Sequence, residues 1–111
     1  MVNKDIQDGV CVVRVIKVFT LDDVHEIINA VEESGKKAVI LDMTHLEMLT
    51  SSAIGLLISV YNNLKEIHIK MGVSGLNSNN RQLFSLSKMD KLFSVFETVD
   101  QGIGVFKGTT V

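Results

Sequence analysis

The run Ala38-Val39-Ile40-Leu41 is apolar at every position and stops at Asp42. A half-exposed strand alternates apolar and polar residues, so a run with no polar break needs cover on both faces. The flanking sequence supplies that cover. Val24, Ile27, Ile28 and Val31 recur at helical spacing before the run, and Ile54, Leu57, Ile58, Tyr61 and Leu64 do so after it. A buried strand between two amphipathic helices predicts an α/β chain built on a largely parallel sheet.

The rest of the chain extends this pattern. Val10 to Val18 is dense in β-branched residues and reads as a strand, and Asp8-Gly9 before it signals a hairpin with the opening residues. Thr20 precedes Leu21-Asp22-Asp23, a helix start with acids in its first turn, and Ser34-Gly35 followed by Lys36 and Lys37 is the matching stop. Thr44 to Leu49 is a connecting loop. Ile67 to Gly75 reads as another strand, with Ile67, Ile69, Met71 and Val73 on one face. Asn77 to Asn80 marks a turn and helix cap, Leu83, Phe84 and Leu86 a short helix, and Lys88 to Phe93 the way out of it. Val95-Phe96 is a short strand. Val99 to Phe106 reads as a last helix, against which Gly102 and Gly104 weigh. The predicted order is β-β-α-β-α-β-α-β-α: a mixed, mostly parallel sheet of about five strands with about four helices.

At 111 residues the chain has room for one domain, residues 1–111. Hydrophobic residues at 46% suffice for a core, which must come from Val, Ile, Leu, Met and five Phe because there is no Trp. The net charge of −2 argues against a broad nucleic-acid surface. The longest apolar stretch, Ile54 to Val60, is too short to span a bilayer, and Met1 to Asp8 does not read as a signal peptide; the expected location is the cytoplasm. The single cysteine, Cys11, lies in Val10-Cys11-Val12-Val13 and reads as a small buried hydrophobe.

Catalytic patterns are sparse. His25, His45 and His68 lack metal-ligand spacing, although His45, in the loop before the serine pair, could approach it. GxSxG, GxGxxG and GxxxxGKS/T are all missing, so the sequence supports no nucleophile elbow, dinucleotide site or P-loop. The chain is expected to be no enzyme and to use no cofactor or metal. Asp22-Asp23 and Glu32-Glu33 fall on helix surfaces expected to be solvated. The informative segment runs from the buried strand through the loop to Thr50-Ser51-Ser52-Ala53-Ile54-Gly55. One of the three hydroxyls is expected to cap the helix, and a helix N-terminus also accommodates the dianion of a phosphoserine.

These residues resemble the signature of STAS domains. In that signature a hydrophobic strand ending in Asp is followed by a loop and then by Asp-Ser-Ser/Thr-Gly/Ala-Leu-Gly; here Val39 to Thr44 and Thr50 to Leu57 are similar to it. Downstream, Arg81 to Phe93 is similar to the family's later motif, a short helix running into a Leu-Asp-Lys-Leu-Phe-like tail. The resemblance implies a STAS-like fold and the role of an anti-sigma factor antagonist. Such a protein binds an anti-sigma factor with serine kinase activity and is switched off when that partner phosphorylates it on the first serine of the motif. Ser51 matches that serine, with Ser52 and Thr50 as less favoured acceptors. Two positions depart from the family pattern: Thr50 stands where an Asp usually precedes the serine, and Thr20 where an Asp usually follows the second strand.

The partner surface is expected on the loop that holds His45, Met48, Leu49, Thr50, Ser51 and Ser52, on the following turn with Ile54, and on Thr20 and Leu21 alongside. Met48 and Leu49 suit an interface if exposed and the core if not. The replaced carboxylates also support a second reading, a non-phosphorylated STAS module serving as a scaffold, a signalling component or a transporter accessory. A small enzyme using Thr20, His45 and Ser51 is a third. Neither a membrane nor nucleic acid is an expected partner, and the sequence leaves a homodimer open.

Overall fold

A computed structural model describes residues 2–107. The chain opens with β1 (Val2–Gln7) and β2 (Val10–Val15), followed by α1 (Leu21–Ser34), β3 (Ala38–Asp42), α2 (Ser51–Glu66) and β4 (Lys70–Ser74). It continues with α3 (Ser78–Leu86), the single turn α4 (Met89–Leu92), β5 (Ser94–Phe96) and α5 (Val99–Phe106). The strands form one sheet in the order β1-β2-β3-β4-β5. β1 and β2 are antiparallel, with Val2 opposite Val15 and Gln7 opposite Val10. The remaining pairs are parallel. Asp8 and Gly9 both take positive φ, 50° and 80°, as the two-residue hairpin turn requires.

The mixed, mostly parallel sheet is as expected, with five helices among the described residues in place of about four, because the segment after α3 winds one further turn. β2 stops at Val15, short of Val18: Lys17 is left-handed (φ 66°), a conformation no strand holds. β4 starts at Lys70, not at Ile67, because α2 runs on to Glu66 and Ile67 is its exposed C-terminal cap. α5 forms despite its glycines. Gly102 is what lets it sit down: a Cβ there would come within 2.6 Å of Ile40 and 2.8 Å of Phe96.

Every residue of β3 is buried. Val39 and Leu41 point to the face covered by Ile27 and Val31 of α1, Leu57, Val60 and Leu64 of α2, and Phe84 of α3. Ala38 and Ile40 point to the face covered by Ile103 and Phe106 of α5. Burial of each large aliphatic side chain contributes about 1.5–3 kcal/mol, so the α2 stripe anchors that helix against the sheet. β2, β3 and β4 are parallel and are each followed by a helix, so their C-terminal ends and the starts of α1, α2 and α3 gather at one end of the sheet. Open α/β sheets present their sites at this end.

Candidate functional site

The segment between β3 and α2 is held at several points. At its root, Asp42 is buried and its Oδ1 accepts from the Thr44 amide (3.1 Å) and the Thr44 hydroxyl (2.6 Å). The Met43 amide donates to the Ser74 carbonyl at 2.8 Å. In the middle, the Lys17 amide donates to the His45 carbonyl (3.1 Å), and the Glu47 amide donates to the Lys17 carbonyl (2.9 Å). Near its end, the Leu49 amide donates to Oδ1 of the buried Asn80 at 2.8 Å. Asn80 is itself set by α3, whose Asn77 cap accepts from the Asn80 amide at 2.8 Å. The loop is therefore a fixed platform.

α2 starts from this platform. Thr50 is its N-cap, with Oγ1 accepting from the Ala53 amide at 3.1 Å. Ser51 and Ser52, the first two residues of the helix, are exposed, and neither hydroxyl is hydrogen-bonded among the described residues. No acid occupies the first turn. The first turn of α2 thus supplies no counter-charge of its own to the positive end of the helix dipole, beside two hydroxyls.

The structure sorts the expected surface residues. Met48 is 63% exposed and Leu21 lies open at the start of α1. Thr20 is exposed but committed: it caps α1, accepting from the Asp23 amide at 3.3 Å. Leu49 is 4% exposed and packs into the core, and its amide is tied to the buried Asn80. Ile54 is also buried, because its place in the first turn of α2 faces the sheet. His45 is exposed, and no hydrogen bond links its side chain to Ser51 among the described residues. Asp23 is not on a solvated surface: its carboxylate accepts from the Thr20 amide at 2.9 Å, closing a capping box, and it is fully buried. Asn80 and Lys17 were not singled out by sequence, although they fix the loop.

The sequence profile of the STAS domain matches residues 1–102. The chain belongs to the STAS domain family. No curated protein matches this STAS domain by sequence. Among solved structures, an anti-sigma factor antagonist from Mycobacterium paratuberculosis is similar, with a TM-score of 0.79 at 24% identity over 95% of this chain and 92% of that one. A sulfate transporter family protein from Wolinella succinogenes gives 0.78 at 16% identity over 94% and 89%. The Bacillus cell fate determinant SpoIIAA in its phosphorylated form gives 0.68 at 15% identity over 94% and 97%. At these identities the likeness is one of fold. Within this STAS domain, Asp42 is the acid that ends the motif strand, and Ser51 to Gly55 open α2. No helix among the described residues is long and apolar enough to cross a membrane.

Proposed function

We propose that this STAS domain is an anti-sigma factor antagonist. It binds an anti-sigma factor with serine kinase activity through the serine loop and the start of α2, and phosphorylation of Ser51 by that partner ends the complex. The observation that carries this reading is the division of labour at the helix start: Thr50 makes the cap, so the exposed Ser51 hydroxyl is available on a rigid platform. A phosphate there adds nearly two negative charges. The uncompensated end of α2 tolerates that charge within the domain, whereas an interface packed over Met48 and Ser51 must desolvate it. Binding is lost while the fold is kept. The likeness to an anti-sigma factor antagonist, and to SpoIIAA in its phosphorylated form, supports the same reading.

A second reading has its own observation. Thr20 and Thr50 stand where the family pattern has carboxylates, and both hydroxyls are occupied as caps. A site without those acids offers less to a kinase and its metal ion, as expected of a module that binds without switching. The likeness to a sulfate transporter family protein fits such a module.

Mass spectrometry of the protein from its own host, in growth and under stress, separates the two. A condition-dependent phosphate on Ser51, with partner affinity falling about tenfold or more in Ser51→Asp, is the expected result. Absence of phosphate from Ser51, Ser52 and Thr50 in every condition rejects the switch and leaves the non-switching module.

A further inference from the structure

A cleft of about 640 Å³ opens at the end of the sheet opposite the serine loop. It lies where α2 ends, β4 and β5 begin and α5 finishes. Lys65, His68 and Lys70 line it together with Leu92 and Val105, which are 40% and 61% exposed. No Asp or Glu is among its lining residues. The chain as a whole carries a net charge of −2, so this groove runs against the overall balance.

Part of this has an ordinary explanation. Lys65 complements the C-terminal end of α2, and its ammonium stands 5.8 Å from the Tyr61 ring centroid. His68 is not explained that way. α2 ends in a Schellman motif, with the Ile69 amide donating to the Leu64 carbonyl (2.9 Å) and the His68 amide to the Lys65 carbonyl (3.0 Å). The turn residue of that motif is left-handed, a position usually filled by glycine, and here it is His68 at φ 62°. An imidazole therefore stands on the groove at a turn position that glycine usually fills; Lys17 and Lys88 are left-handed as well. The imidazole is thus part of the groove's lining.

We infer that this groove is a second docking surface, and that its occupant is an extended acidic peptide segment of a partner protein carrying a large apolar residue. Carboxylates of the segment lie against Lys65, His68 and Lys70, and its apolar side chain covers Leu92 and Val105. Lys65 and Lys70 form no ion pair among the described residues and favour an acidic partner, and the apolar rim distinguishes a peptide from a simple anion. α2 has 16 residues and is about 24 Å long, so the groove can be filled while the serine end is engaged. The inference does not depend on the reading of Ser51.

The test uses the full chain and a fluorescein-labelled peptide, Glu-Glu-Leu-Glu-Phe-Glu-Glu, followed by fluorescence anisotropy and by amide chemical-shift mapping. Saturable binding is expected, with shifts confined to the groove. Affinity is expected to fall about tenfold or more in Lys65→Glu/Lys70→Glu and to hold in Lys4→Glu/Arg81→Glu, an equal charge reversal outside the groove. His68→Gly is expected to raise Tm while weakening the peptide, an opposition that a merely structural role does not produce. The proposal is overturned by lack of saturable binding, by equal binding of the Gln-for-Glu peptide, or by equal losses in the two reversal variants. Shifts at the serine loop, or a dimer found by light scattering that Lys65→Glu/Lys70→Glu dissociates, also overturn it.

Discussion

α1 and α2 begin at the same end of the sheet, and each begins with a threonine cap, but the two starts are finished differently. At α1 the box is closed: Thr20 accepts from the Asp23 amide, Asp23 accepts from the Thr20 amide, and Asp22 adds a second acid to the first turn. At α2 the box is half made. Thr50 accepts from the Ala53 amide, but Ala53 has no carboxylate to return the bond, and the turn holds no acid. The first turn of α1 answers its dipole with two acids; the first turn of α2 has none. A helix start that serves only the fold has reason to be completed, whereas one that is to receive a negative charge has reason to stay open.

Mutations test this contrast directly. The largest effect belongs to the closed start. Asp23→Ala removes a buried charged acceptor, so the cost is roughly 1.5–3 kcal/mol, read as a fall in urea midpoint and Tm. A cost near zero breaks the contrast. Asn80→Ala comes next. It strips the Leu49 amide of its buried acceptor at a cost of about 1–3 kcal/mol, and hydrogen exchange should quicken at Leu49 while α1 keeps its protection. Thr50→Ala is expected to cost about 1 kcal/mol, the ordinary value of a lone cap. The smallest effect changes sign. Ser51→Asp supplies the missing charge and should stabilise the domain by about 0.3–1 kcal/mol, less at high salt. Leu21→Asp, at the same helical position of α1, should gain little beside Asp22 and Asp23. Equal gains at the two helices would show that the dipoles are not differently answered.

Much of the frame was legible because it rests on local pattern. The unbroken run at β3, the Asp8-Gly9 turn, the α1 boundaries at Thr20 and Gly35, and the Asn77 cap each depend on a few adjacent residues. The candidate site was legible only where the motif is contiguous, from Thr50 to Gly55. Its supports were not, because they cross the chain: Asn80 meets Leu49 from 31 positions away, and Lys17 meets the carbonyl of His45. Met48 and Leu49 could not be separated by sequence for the same reason. In a loop no period assigns a face, and the structure turns Leu49 inward and Met48 outward. The end of α2 was hidden by its apolar residues: Ile67 and Ile69 suit a strand, while His68 occupies a turn position that glycine would have announced. Asp23 was misplaced because two adjacent acids at a helix start suggest solvent, whereas the box buries one of them.

Cys11 is the second residue of β2, fully buried, and burial raises its thiol above the usual range. A thiol so placed is a poor nucleophile while the sheet is intact and becomes reactive when β2 opens. With no other cysteine in the chain, its labelling rate is a built-in clock for opening of the domain. Read beside partner affinity, that clock separates a phosphate that repels a partner from one that loosens the protein: the first leaves the clock unchanged, and the second makes it run fast.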